Sequence, residues 1–207
     1  MSDAISELVA KIRELEGQLE VELAARRVDL NYRIEEERVI FEEDVARLHR
    51  KLRTTLRSYI KSSGLLAALT VPFIYAVIIP FVLLDVFVAT YQAVCFPVYG
   101  IPKVRRRDYI IFDRQHLGYL NYIEKLNCAY CSYGNGLIAY VSEIVSRTEQ
   151  YWCPIKHSRR IAGAHRRYSN FVDYGDAGAY QQQLEGLRQN LQHETRNLKC
   201  EEPKQSS

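Results

Sequence analysis

LLAALTVPFIYAVIIPFVLLDVFVATYQAVCFPVYGIP, from Leu65 to Pro102, is the stretch that decides the fold, and Asp85 is its only charged residue. The twenty residues from Leu65 to Leu84 carry no charge. A helix of about 20 apolar residues crosses the hydrocarbon core of a bilayer. We therefore expect residues 63–102 to form a membrane segment, in preference to the buried core helix of a soluble domain.

Basic residues lie on both sides of this segment. Positive charge beside membrane segments tends to stay in the cytoplasm, so two cytoplasmic flanks require an even number of crossings, or none. The cations expected to contact lipid are Arg53, Arg57 and Lys61 before the segment and Lys103, Arg105, Arg106 and Arg107 after it.

Two arrangements of the membrane segment remain open. Prolines at 72, 80 and 97 favour a re-entrant or half-depth hairpin, with Asp85 reaching water at the turn. A single tilted helix from Leu65 to about Ala89 would instead place Asp85 near one interface, because a carboxylate is costly at the bilayer centre. The fold class is then all-α, with either a helix or a hairpin inserted in the membrane.

Residues 1–62 read as one long helix. They contain a single glycine, Gly17, and no proline. Apolar residues recur at steps of mostly three and four, with slips near residues 26 and 37, which is typical of a coiled coil. Sixty helical residues would extend about 90 Å. We expect this coiled coil to oligomerise; a helical hairpin within one chain and an amphipathic helix on lipid are the alternatives.

Residues 103–175 are predicted to be a small helical domain. Apolar spacing indicates helices over about residues 114–127 and 137–151, with a turn at Gly134–Gly136 between them. Residues 176–207 are expected to form a short amphipathic helix and a disordered tail.

Two pairs of possible metal ligands frame the second of those helices. Cys128 and Cys131 are three residues apart, and Cys153 and His157 are four apart. A turn between two helices would bring the pairs together as a closed Cys3His set, which suits a structural zinc ion. An iron–sulfur cluster, a redox dithiol at Cys128 and Cys131, and simple buried thiols are the alternatives. Five cysteines, an odd number, favour a reducing compartment.

A second basic cluster follows the last cysteine of this domain. Lipid headgroups are its expected contact, because a membrane segment is near. The net charge of +3 gives no reason to expect a nucleic-acid partner. Dinucleotide, P-loop, nucleophile-elbow and zincin motifs are absent from the sequence, so no active site is predicted. The cluster comprises Lys156, Arg159, Arg160, Arg166 and Arg167.

The stretch FDRQHLGYLNYIEKLNCAYCSYGNGLIAYVSEIVSRTEQYWCPIKH, Phe112 to His157, resembles a group of uncharacterised bacterial proteins with an NCxYCxYxNG…RTEQYWCPIKH core. The resemblance implies a bacterial membrane-associated protein, and it implies no activity or cofactor. We expect a scaffold or adaptor in the bacterial inner membrane, with N- and C-terminal parts in the cytoplasm. Its partners would be lipids and either further copies of itself or another coiled coil. The alternative is a membrane-associated redox protein.

Overall fold

The computed structural model describes residues 3–29, 32–35, 38–41, 43–53, 55, 64, 66 and 69–200. These residues are mostly helical, as predicted, and two compact units divide them. One unit comprises Met1–Gly64 and Phe112–Ala129, and the other Leu65–Ile111 and Tyr130–Ser207. The elements are α1 (Asp3–Asp29), β1 (Tyr32–Glu35), β2 (Arg38–Phe41), α2 (Glu43–Lys51), α3 (Leu69–Tyr99), α4 (Tyr122–Trp152) and α5 (Ala177–Cys200).

In the first unit, a β-hairpin interrupts the long helix that was predicted over residues 1–62. Strands β1 and β2 pair antiparallel, with Tyr32 opposite Phe41 and Glu35 opposite Arg38. Aromatic and β-branched residues fit a pleated strand better than a helix, and they are frequent in both segments. The hairpin lies where the heptad pattern slips. A continuous coiled-coil helix over 1–62 is therefore wrong, and α1 is its longest described part.

The same unit contains the start of α4. Asn121 and Glu124 form a capping box: the backbone N–H of Glu124 donates to Asn121 Oδ1 at 3.0 Å, and that of Asn121 donates to Glu124 Oε2 at 2.7 Å. The helix therefore begins after Asn121. The predicted start near Arg114 is occupied instead by a 3₁₀ turn, Asp113–His116.

The second unit is built on α3 and α4. Tyr75 meets Tyr130 near one end of the pair, with ring centroids 5.4 Å apart, and Tyr99 meets Tyr151 at the other end, also at 5.4 Å. Because these contacts follow the same order along both helices, α3 and α4 run parallel to each other. The main buried cluster comprises Phe96, Ile101, Val104, Ile110, Leu137, Tyr140, Ile144 and Leu191.

Helix α4 passes without a break through the predicted turn at Gly134–Gly136. A Cβ atom on Gly134 would lie 2.8 Å from the Phe81 ring, and one on Gly136 would lie 2.5 Å from the carbonyl oxygen of Tyr109. The glycines therefore let neighbouring segments approach the helix closely. The predicted turn is therefore wrong. Glycine occupies these positions because a side chain would not fit there, and the backbone itself is ordinary helix.

Helix α5 completes the second unit. The Asp176 carboxylate accepts a hydrogen bond from the Ala179 N–H at 2.9 Å and caps its first turn. Leu191 is fully buried in the common core. The structure therefore contains the amphipathic helix predicted after residue 176, while residues 201–207 of the predicted tail lie outside the described part of the chain.

Candidate functional site

Helix α3 has an outer face that the protein leaves uncovered. It is long and apolar enough to cross a membrane, and its most apolar part has no buried residue. Phe73, Phe87 and Val98 are 78%, 71% and 75% exposed. Water exposure on this scale is unfavourable for aromatic and branched side chains. The outer face comprises Leu69, Phe73, Leu83, Phe87, Val94 and Val98, whose spacing along the chain places them on one side of the helix.

The inner face of α3 is covered by protein. Phe96 and Gln92 are buried, and the Gln92 amide donates to the Val104 carbonyl at 3.3 Å and to the Tyr140 hydroxyl at 2.9 Å. Nearer the helix start, the Tyr130 hydroxyl donates to the backbone carbonyl of residue 74 at 2.7 Å. The polar groups of the inner face are therefore hydrogen-bonded within the protein, beside apolar side chains such as Phe96 that pack in the core, and the outer face carries only apolar side chains.

Asp85 lies on the inner face in an ion pair. The Arg106 guanidinium donates to both carboxylate oxygens of Asp85, at 3.2 and 2.7 Å, and the Tyr133 hydroxyl donates at 2.9 Å. Burial, together with Asp85, raises the pKa of Tyr133, so its hydroxyl keeps its proton at neutral pH. The carboxylate is thus neutralised inside the protein.

The continuous helix through Asp85 overturns one of the two predicted membrane arrangements. Ile78–Tyr99 is regular α-helix, so a hairpin with its turn at Asp85 is wrong. Pro80 lacks an N–H for the preceding turn, and the helix is locally irregular at Val77 without changing direction into a hairpin.

The chain after α3 runs back along the helix that it has just left. The Ile101 N–H bonds to the Phe96 carbonyl at 2.9 Å, Val104 bonds to Gln92, and Arg106 reaches Asp85. This return segment, residues 101–110, brings its cations alongside the middle of α3. Lys103, Arg105, Arg106 and Arg107 are all exposed.

The three predicted lipid-contact cations before the membrane segment are only partly described. Arg53 is exposed in the first unit. Arg57 and Lys61 lie outside the described residues.

The predicted metal ligands are not brought together. Cys131 and Cys153 are exposed free thiols, and Cys128 is a half-buried one on the same helix. From Cys131 to the end of α4 at Trp152 the helix rises about 30 Å. Zinc bonds to sulfur and nitrogen are about 2.0–2.3 Å long. One chain therefore cannot close the predicted Cys3His clasp, because the turn that it required is absent.

The other member of the predicted ligand set, His157, is exposed and stacks on Tyr168, with ring centroids 6.2 Å apart. Among the residues that the structure describes, no group of three or more possible ligands is close enough to hold a metal ion. Metal binding and thiol redox chemistry at these cysteines stay predictions.

The second basic cluster divides between structural and surface residues. Lys156 pairs with Asp173 at 2.8 Å. Arg167 bonds to Glu143 at 3.0 Å and to Glu194 at 2.7 Å. Arg159 and Arg160 are exposed. Two cations of the cluster are therefore held in ion pairs within the protein, and lipid contact at the cluster stays a prediction.

Glu143 is the centre of an ion network below the surface of the second unit. Burial opposes its ionisation, but Arg147 at 2.8 Å and Arg167 outweigh burial and hold the pKa of Glu143 below its ordinary value. Arg147 also donates to the Pro102 carbonyl at 2.7 Å. The network thus ties the return segment and the C-terminal helix to α4.

Sequence reasoning missed the Asp85–Arg106 pair. Its signal was present: a lone acid in an apolar segment, followed closely by a run of arginines. A charge in such a segment normally has a specific partner.

Comparison of the chain with models of protein families, with characterised proteins and with solved structures finds no match. The functional reading therefore rests on the geometry of α3 and its surroundings.

Proposed function

We propose that this protein is a membrane-anchored scaffold, held to lipid by the outer face of α3 and assembled through α1. The observation that carries the proposal is the division of α3 into a face that the protein covers and an apolar face that it leaves exposed. A core helix of a soluble domain would be covered on both. The single carboxylate of the segment is paired on the inner side, so the outer face presents only uncharged groups to lipid.

The extent of the apolar face favours a lipid contact. Thirteen large apolar side chains between Leu66 and Val98 are exposed. Soluble monomers rarely leave a contiguous apolar patch of more than a few hundred Å² in water. The cations of the return segment and of the exposed 159–160 pair fit anionic headgroups, which supports a membrane as the partner.

Helix α1 supplies the assembly surface in this proposal. Leu8, Ile12, Leu15 and Leu19 are 54–61% exposed and are spaced four, three and four residues apart. This is the spacing of a coiled-coil seam, and a helix with such a stripe is stable when a second helix covers it.

The charges beside the stripe favour a second copy of α1 in parallel orientation. With Ile12 and Leu19 as the a positions of the heptad, Lys11 occupies g and Glu16 occupies the next e. In a parallel pair, a g residue faces the e residue five positions further along its partner. Lys11 of each copy would then meet Glu16 of the other.

Two substitutions of one kind test the anchor and the assembly separately. Phe87→Asp places a charge on the outer face of α3, and Leu15→Asp places one on the α1 stripe. Each full-length variant is floated with vesicles of equal parts phosphatidylcholine and phosphatidylglycerol, and its mass is measured in detergent. We expect Phe87→Asp to leave the vesicles while remaining oligomeric, and Leu15→Asp to become monomeric while still floating.

Each variant therefore serves as the control for the other. Wild-type protein that stays at the bottom of the gradient would contradict membrane anchoring. Wild-type protein that is monomeric at all concentrations would contradict assembly through α1.

A further inference from the structure

We propose that α3 lies in the plane of an anionic lipid surface, with its outer face in the acyl layer, and does not cross the bilayer. This inference rests on the proposed membrane anchoring and specifies how the anchor meets lipid. Neither flank of α3 then crosses the membrane, as the basic residues on both sides of it require.

The position of Arg106 along α3 is the first reason. Asp85, its partner, is 14 residues from Tyr99 and 16 residues from Leu69, which places the ion pair about 20 Å from either end of the helix. A spanning α3 would hold this pair near the middle of a hydrocarbon core of about 30 Å.

The neighbours of Arg106 are the second reason. Lys103, Arg105 and Arg107 belong to the same return segment and are exposed. Arg106 itself is 48% exposed despite its ion pair. A spanning orientation would hold these exposed side chains at the depth of the acyl chains, where cations are rare unless they line water or a protein interior.

The in-plane orientation satisfies both faces at once. The inner face of α3 is covered by α4 from Tyr75 to Tyr99, so the rest of the unit lies on the water side. Amphipathic helices bind in this way, with the apolar face about 5–10 Å deep and cations at the headgroups. Exposed cations of the return segment are thereby placed where anionic lipid attracts them.

Three positions on the outer face distinguish the orientations. Phe73 and Val98 are 25 residues apart, about 37 Å along the axis, and Phe87 lies between them. A spanning helix places Phe87 deep and the other two at opposite interfaces. An in-plane helix places all three at one shallow depth.

The single tryptophan of the chain makes this measurable. In a full-length Trp152→Phe background, tryptophan replaces Phe73, Phe87 or Val98 in turn. Each variant is bound to vesicles of equal parts phosphatidylcholine and phosphatidylglycerol, and its fluorescence is quenched by lipids brominated at shallow or deep acyl positions. We expect all three to be quenched more by the shallow bromines, with similar ratios.

Deep quenching at position 87 with shallow quenching at 73 and 98 would overturn the in-plane orientation while leaving membrane anchoring intact. Failure of the wild-type chain to float with these vesicles would overturn both. The wild-type chain provides a second measurement that needs no substitution. In sealed inverted membrane vesicles from a bacterial expression host, added trypsin should digest both flanks of α3, and protection of either flank would contradict the inference.

Discussion

Replacing Gly136 with alanine tests whether close packing against a helix, and not a turn, is the reason for glycine at this position. Alanine is favoured over glycine inside a helix by about 1 kcal/mol. Against this, the new Cβ would lie 2.5 Å from the Tyr109 carbonyl oxygen and 2.9 Å from the Ile110 Cα, and both are backbone atoms. Overpacking costs roughly 1–3 kcal/mol, and the upper part applies where backbone must move. We expect Gly136→Ala to destabilise the protein by about 2 kcal/mol.

Gly186→Ala is the matched control, with the opposite expected sign. Gly186 is also helical, in α5 of the same unit, and nothing lies within 4 Å of a Cβ atom added there. Only the propensity gain remains, so we expect stabilisation of about 1 kcal/mol. Thermal unfolding followed by far-ultraviolet circular dichroism in detergent measures both. For a chain of this size the midpoint should fall by about 4–8 °C in one variant and rise by about 2–4 °C in the other.

Equal shifts of the same sign for the two glycines would refute this reasoning. Asn135→Ala adds an independent check, because Asn135 is exposed in the middle of α4 and its amide donates to the Cys131 carbonyl of the same helix, at 2.9 Å. In a helix, alanine should be neutral or stabilising by up to about 0.7 kcal/mol. A loss of 1 kcal/mol or more in the free energy of unfolding would instead indicate a turn at Gly134–Gly136. The predicted zinc site requires that turn.

Three further predictions concern the charges and thiols. Arg106→Met should lower the thermal midpoint because it leaves Asp85 without its cation. Adding Asp85→Leu should restore most of the lost stability. A double variant as unstable as Arg106→Met would contradict this explanation. Glu143→Gln should destabilise the protein at neutral pH, because the fold stabilises the ionised form of Glu143 and thereby lowers its pKa. The difference in melting temperature should shrink as the pH falls below the ordinary value of 4.5 and through the lowered pKa. A difference that does not depend on pH would contradict this. Cys131→Ser and Cys153→Ser should each melt within about 2 °C of wild type, because both thiols are exposed and lie apart. If either variant unfolds and elemental analysis finds stoichiometric zinc in the wild type, the predicted zinc site would be supported after all.

The parts of the fold that follow from local pattern could be predicted from the sequence. The uncharged run before Asp85 predicts the apolar helix, and the leucine spacing after residue 180 predicts α5. The start of α4 was also readable, because Asn121 and Glu124 have the spacing of a capping box.

The parts that depend on distant contacts could not be predicted in this way. Gly134–Gly136 has the composition of a turn, and only the approach of Phe81 and Tyr109 explains why glycine occupies a helix there. Arg106 has the appearance of a lipid-facing cation, and only the return of the chain along α3 gives it Asp85 as a partner. The β-hairpin after α1 was not predicted because Ile34 and Phe41 continue the apolar spacing, and that pattern outweighed the strand preference of their β-branched and aromatic neighbours.

The return segment also decides between the two orientations of α3 on energetic grounds. The outer face would reach acyl chains in either proposed orientation, so the apolar gain does not distinguish the two. The cations do. An arginine at the centre of a membrane helix costs roughly 3 kcal/mol on insertion scales. Asp85 reduces the cost for Arg106, and Asp108 lies 4.0 Å from Arg107, but each exposed arginine held at that depth would still oppose a spanning orientation, by up to about 3 kcal/mol. At the headgroup level of an anionic membrane the same side chains are each favoured by about 1 kcal/mol. The balance therefore favours a helix that lies in the surface, with the rest of its unit on the water side.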